Sequence, residues 1–78
     1  MAVDLGKKTD VQAAVRFYVQ RPGDNVPVIT DIVERGDGTV WIVSPLGGQG
    51  RSRENFDNTV SAFHLIEQDH VRKAEKLV

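Results

Sequence analysis

The stretch of the chain whose residue types most suggest chemistry is SPLGGQGRSRE, residues 44–54. Three glycines flank a single glutamine, and two arginines follow directly. Glycines let a backbone come close to a ligand, and arginines bind phosphate groups well. However, the glycines lack the spacing of the common phosphate-binding loops, in which backbone N–H groups converge at a helix N-terminus. The stretch is therefore predicted to be a turn between two packed elements, kept in water by Arg51 and Arg53.

Within this stretch, Gly47-Gly48-Gln49 resembles the GGQ tripeptide of peptide-chain release factors. The segment NTVSAFHLI, residues 58–66, is similar to the one that comes after the tripeptide in that family. There the glutamine positions a water at the ester of peptidyl-tRNA, so the resemblance implies a hydrolase that depends on Gln49. The sequence departs from the family's pattern after Gly50 and has no basic tail to hold ribosomal RNA. The chain is therefore predicted not to be an enzyme, and Gln49 not to be catalytic.

Two further motifs have structural explanations. Residues 35–37 match the integrin-recognition tripeptide Arg-Gly-Asp, but the same residue types favour a reverse turn. His64, Glu67 and His70 have the pattern H-x2-E-x2-H. On a helix the two histidines lie about 240° apart around the axis, so they cannot share one ion. Neither a metal site nor a cofactor is predicted.

The length and composition of the chain are those of a small domain, whose core alone gives little net stability. The 78 residues are 40% hydrophobic and 27% charged, with a net charge of -1, so no overall field favours nucleic acid or a membrane. The apolar runs are far shorter than a membrane span. The absence of cysteine fits a cytoplasmic location. We expect one domain over residues 1–78, with residues 1–9 as a flexible arm.

Three runs of β-branched and aromatic residues, joined by tight turns, predict an antiparallel meander. The turns RPGDN and RGDGT hold residue types that favour reverse turns for steric or hydrogen-bonding reasons. Pro27 has no backbone N–H and therefore belongs at the start of a strand or on an edge. The predicted strands cover residues 15–21, 27–35 and 39–44.

The segment before the first turn can be drawn in two ways. Thr9 and Gln12 have the spacing of a capping box, which predicts a short helix through Ala14. Residues 15–20 then alternate apolar with polar side chains, as a strand does. The alternative places residues 11–20 in a single helix. We favour the strand, because a turn and another β-rich run come after it.

The chain after the glycine-rich stretch has the clearest helical periodicity, with Ser52 or Asp57 as the candidate N-cap. Glu67 and His70 interrupt the apolar face. We therefore predict an α+β fold, in which a three-stranded antiparallel β-meander packs on a C-terminal helix. In the alternative, residues 63–67 form a strand of an SH3-like small β-barrel with a short terminal helix. The apolar face of the predicted helix consists of Phe56, Val60, Phe63, Ile66, Val71, Ala74, Leu77 and Val78.

The function predicted from these features is protein binding. Beyond the interruption, the small sheet has nothing left to cover the apolar stripe, and exposed apolar faces usually find a partner. A domain of this size without disulfides often gains stability by forming oligomers. We therefore expect a non-enzymatic interaction module, such as a small accessory or inhibitor protein, that associates with itself. The expected contact residues are Val71, Ala74, Leu77 and Val78.

The alternative function is nucleic-acid binding by a small β domain. If Tyr18 and Trp41 lie on an exposed sheet face, they can stack on single-stranded bases. Arginines near them would hold the phosphates. The arginines that this alternative requires are Arg16, Arg35, Arg51 and Arg53.

Overall fold

The computed structural model describes residues 11–44 and 48–78 of the chain. The elements are β1 (Val11–Val19), β2 (Val28–Arg35), β3 (Val40–Ser44), β4 (Gly48–Ser52), α1 (Phe56–Ile66) and β5 (Val71–Lys76). The strands form one antiparallel sheet in the order β4-β3-β2-β1-β5, which confirms the predicted α+β class. No helix within the described ranges is long and apolar enough to cross a membrane.

The predicted meander is present as β1, β2 and β3, but the sheet has five strands rather than three. Arg16 lies opposite Asp31 in the first hairpin, and Ile32 lies opposite Ile42 in the second. Strand β4 pairs with β3 and forms one edge, while β5 returns to pair with β1 and forms the other. The two added strands come from segments whose patterns predicted a turn and a helix.

Helix α1 begins at an asparagine cap. The Asn55 side chain accepts a hydrogen bond from the Asn58 backbone N–H at 2.7 Å, which satisfies one of the free donors of the first turn. Ser52 and Asp57 were the predicted caps, and both predictions are wrong. Instead, the Ser52 and Thr59 hydroxyls form a hydrogen bond of 2.7 Å, which connects the end of β4 to the helix.

The main core lies between α1 and the sheet. Side chains alternate between the two faces of a strand, and every second residue of β1 and β2 points towards the helix. The buried residues there are Phe17, Val19, Ile32 and Val40, with Val15, Ile42, Phe56, Val60, Phe63 and Val71 packed around them. The Phe17 and Phe63 rings lie 5.1 Å apart between their centroids and join sheet to helix.

A second apolar cluster lies on the opposite face of the sheet. Its buried members are Ala14, Val33 and Val43, and Val11, Trp41 and Leu77 pack against them. Beside it, the buried Asp31 accepts two hydrogen bonds from the guanidinium of Arg16, at 2.8 and 2.9 Å. This face is therefore part of the folded core.

The short helix expected through Ala14 is wrong. Val11 to Ala14 belong to β1, where Ala13 pairs with Glu34 of β2. Ladder hydrogen bonds and the burial of Ala14 outweigh the local capping signal. Thr9 and the proposed arm of residues 1–9 lie outside the described ranges.

The C-terminal helix is shorter than predicted, and the next element along the chain is a strand. The helix ends at Ile66, so residues 63–66 are helical, and the strand considered for 63–67 is wrong. Hydrogen bonds from the N–H groups of His70 and Val71 to the Glu67 carbonyl form the turn into β5. The prediction that one helix runs to the end of the chain is therefore also wrong.

Candidate binding surfaces

The glycine-rich stretch forms an edge strand instead of the predicted turn. Gly48 to Ser52 make up β4, and Gly48 has a φ of 78°, which favours glycine. Gln49 lies opposite Val43 of β3 and is exposed, with no hydrogen bond to another side chain within the described ranges. Residues 45–47, including the first glycine of the GGQ tripeptide, lie outside those ranges.

The Arg-Gly-Asp tripeptide lies at the β2–β3 hairpin, as predicted. The Asp37 carboxylate accepts hydrogen bonds from the Thr39 hydroxyl at 2.6 Å and the Thr39 N–H at 3.0 Å. The bond from the hydroxyl has the larger effect, and together the two bonds hold the pKa of Asp37 below its ordinary value. The tripeptide is thus explained by the turn that it forms.

The predicted H-x2-E-x2-H residues separate into two environments. Glu67 forms an ion pair with Arg21 and lies 3.1 Å from Nδ1 of His70. The hydrogen bonds from Arg21 lower the pKa of Glu67, in spite of the opposing effect of burial. The His64 ring packs instead on Phe17, with 5.9 Å between centroids. Among the described residues no group of three His, Cys, Asp or Glu could hold a metal ion.

The four arginines of the nucleic-acid alternative do not form one surface. Arg16 is bound to the buried Asp31, which raises the pKa of Arg16 through hydrogen bonding and charge and leaves no free cation there. Arg35, Arg51 and Arg53 have no ion pair or hydrogen-bonded side chain within the ranges that the structure describes.

Arg51 and Arg53 line a cleft of about 570 Å³ between the β2–β3 hairpin and residues 51–54, at the end of β4 and just after it. Asp37 lies close enough to Arg51 for their charges to interact, and the carboxylate of Glu54 also borders the cleft. We call this surface the arginine cleft. Its lining consists of Gly38, Thr39, Val40, Arg51, Ser52, Arg53 and Glu54.

Tyr18 and Trp41 lie on the same sheet face, opposite α1, but both are tied to neighbours. The Tyr18 hydroxyl donates to Glu75 at 2.6 Å, which raises the pKa of Tyr18, and Lys73 Nζ lies 5.5 Å from the ring centroid. Trp41 packs on the second apolar cluster and donates from Nε1 to Thr39. Both residues are half-buried.

The predicted partner-binding residues lie on or just after β5. Val71 packs against the main core and Leu77 against the second cluster, so the expectation that the sheet has nothing left to cover the apolar residues beyond the interruption is wrong. Ala74 and Val78 are exposed. Contact of these residues with a partner stays a prediction, now on an edge strand rather than a helix.

The sequence prediction missed a set of exposed apolar residues where α1 ends. Ile66 is 75% exposed and Leu65 68%, while Val26, in the β1–β2 loop, is also 68% exposed. The loop and the helix end belong to the same end of the sheet, since Gln20 N–H donates to the His70 carbonyl. The periodicity had placed Ile66 on the buried face. We call Val26, Leu65 and Ile66 the apolar end.

Comparisons with protein-family models, with curated proteins and with solved structures give no match for this chain.

Proposed function

We propose that the protein is a non-enzymatic protein-binding module of the cytoplasm, and that two copies associate through the apolar end. The observation that carries the proposal is the exposure of Leu65 and Ile66, two large apolar side chains next to each other on the last turn of α1. Together with Val26, they form a set of three large apolar side chains that are exposed to water in a single copy of the chain. Covering them in a complex is favourable because apolar surface leaves water.

The charges around the apolar end favour a second copy as the occupant. Asp69 and Arg72 line a depression of about 330 Å³ at this end, and both are exposed. Neither side chain has an ion-pair partner within the described part of the chain. In a two-fold contact each surface meets its own copy, so Asp69 of one copy can face Arg72 of the other. Such a pairing would add charge complementarity to the apolar contact between the two copies.

The size of the apolar end sets the expected strength. Three exposed side chains form a small interface, well below the roughly 1,200 Å² that stable complexes bury. We therefore expect a reversible dimer with a dissociation constant in the micromolar range or weaker.

Sedimentation velocity over about a hundredfold concentration range tests the proposal, because mass action shifts the monomer–dimer balance with concentration. The wild type should shift from monomer to dimer, and Leu65→Glu with Ile66→Glu should weaken the association by about tenfold or more. Val78→Glu is the matched control, since Val78 is also exposed, at 54%, but lies outside the apolar end.

Three outcomes would contradict the proposal. A wild type that stays monomeric throughout removes self-association. A double variant that dimerises like the wild type removes the apolar end as the contact. If Val78→Glu alone dissociates the dimer, the interface lies instead at the end of the chain, as the sequence first predicted.

A further inference from the structure

We propose that the outer edge of β4 binds an extended, acidic segment of a partner protein, which adds to the sheet as a sixth strand. This inference rests on the proposal that the protein binds proteins, but it uses a surface separate from the apolar end. The two can therefore fail independently.

The first support is the open edge itself. Strand β4 is last in the sheet order, and Gly48 to Arg51 are all exposed. Every second residue of an edge strand directs its N–H and C=O away from its one neighbour. No described strand pairs with those groups on β4. An extended peptide satisfies them by continuing the ladder, which is the basis of recognition by strand addition.

The second support is the difference between the two edges. The other edge, β5, carries three long cationic side chains within six residues and has a register irregularity opposite Tyr18 and Val19. Long charges and irregular pairing are common ways of blocking strand addition. In β4 both Gly48 and Gly50 lack side chains, and a Cβ built on either meets no atom within 4 Å. A peptide backbone therefore has easier access to β4.

Space on the helix side of β4 also fits an incoming side chain. Gly50 lies opposite Ile42 of β3, and Ile42 is a half-buried residue that packs against the main core. Because Gly50 offers no side chain, an apolar side chain of the added strand can lie over it and cover Ile42. This position selects an apolar residue in the partner segment.

The arginine cleft determines the charge of that segment. Arg51 lies opposite Trp41 and so on the sheet face away from α1, and Arg53 comes directly after the end of β4 and borders the same cleft. Both are exposed, and neither has an ion-pair partner in the described ranges. Carboxylates two residues apart in the added strand would face them, with apolar residues between on the helix side. The segment that fits alternates apolar and acidic residues.

A peptide fits this site better than a nucleic acid. Backbone N–H and C=O groups on an edge pair with another peptide backbone, whereas a phosphodiester chain offers no donors to match the carbonyls. Glu54 borders the arginine cleft and Asp37 lies near Arg51, so both carboxylates would repel a continuous row of phosphates. Two separate carboxylates of a partner peptide can bind the arginines without coming close to the carboxylates of Asp37 and Glu54.

The test uses fluorescence anisotropy with a fluorescein-labelled peptide of sequence TVEVEVT, which has the required alternation. We expect saturable binding that weakens about fivefold to tenfold in Arg51→Ala with Arg53→Ala, the scale of two exposed ion pairs. The matched control is Lys73→Ala with Lys76→Ala on the other edge, which should leave the affinity unchanged. A TVEVEVT peptide N-methylated at every valine and glutamate should not bind, because the N–H groups that would face β4 are then blocked.

Several results would overturn the proposal. These are no binding at millimolar peptide, equal binding of the N-methylated peptide, or loss of binding only in the β5 control variant. Tighter binding of a short oligo-dT strand that depends on Arg51 and Arg53 would make the cleft a nucleic-acid site instead. Unchanged peptide binding by Leu65→Glu with Ile66→Glu would show that the two surfaces act separately, whereas joint loss would remove the β4 assignment.

Discussion

At the scale of single residues, the pair of Arg16 and Asp31 does most to explain why this fold tolerates a charge in its core. The two residues lie directly opposite each other in β1 and β2, and Asp31 is 0% exposed. Both carboxylate oxygens accept a hydrogen bond from the one guanidinium. This bidentate geometry compensates for part of the loss of water around the two charges.

Removing one partner of this pair should be much worse than removing both. Asp31→Ala leaves Arg16 partly buried and unpaired, and should lower the free energy of unfolding by about 3–5 kcal/mol. The double variant Asp31→Leu with Arg16→Met replaces the pair with apolar volume and should recover most of that loss. Urea unfolding monitored at Trp41 measures both. Asp31→Asn serves as a milder substitute if Asp31→Ala does not fold.

The prediction would be contradicted if the losses in Asp31→Leu alone and Arg16→Met alone simply added in the variant that carries both. Additive losses would mean that the two residues do not interact energetically.

At the scale of elements, β5 is the part of the chain that the structure reassigns. It pairs with β1 from Val71 to Lys76, and residues on or after it contact both apolar clusters. Truncation after Asp69 would remove these contacts and leave a second unpaired edge on β1. The truncated chain should therefore lose cooperative thermal unfolding, followed by circular dichroism.

Deleting Val78 alone is the control for this truncation, because Val78 is exposed and comes after the last residue that packs on the core. That variant should unfold like the full chain. A chain truncated after Asp69 that still unfolds cooperatively would mean that β5 is dispensable to the fold.

The parts of the fold that could be predicted are those whose local pattern agrees with their final environment. The meander was predictable because its turns hold Gly, Pro and Asp and its strands alternate. The strand β5 was not, because the residues RKAEK favour a helix by propensity and an edge strand needs few apolar side chains. The strand β4 was hidden by glycines, which are depleted in strands and typical of turns.

The candidate surfaces were predictable only in part for a related reason. The exposure of Arg51 and Arg53 followed from their place in a polar, glycine-rich stretch. Arg16 is unavailable to a ligand because the strand register places it opposite Asp31, and no local sequence pattern gives that register. The exposure of Ile66 depended on where the helix ends relative to the edge of the sheet. The environment of each residue that the sequence prediction misplaced therefore depends on the tertiary arrangement of the strands and the helix.

At the scale of the whole molecule, stability should depend on pH at both extremes. Glu67 and Asp37 have pKa values held below their ordinary values of 4.5 and 3.8, mainly by hydrogen bonds from Arg21 and Thr39 respectively. A carboxyl with a depressed pKa stabilises the fold above its unfolded value, and this stability is lost as the pH falls through the folded value. Tyr18 has a raised pKa, so its contribution is present below its ordinary value of 10.0 and is lost as the pH rises further.

The thermal midpoint should therefore be nearly constant between about pH 5 and pH 9 and fall on either side, as the directions of these pKa values require. Glu67→Gln removes the charge that joins the β1–β2 loop to the end of α1, so it should lower the midpoint at neutral pH and flatten the decline below pH 5. Glu54→Gln is the matched control, since Glu54 is an exposed carboxylate whose side chain, among the described residues, accepts a single hydrogen bond, from Asn58 at 3.5 Å. If Glu67→Gln and Glu54→Gln show the same acid decline as the wild type, the ion pair between Arg21 and Glu67 does not hold the two ends of these elements together in solution.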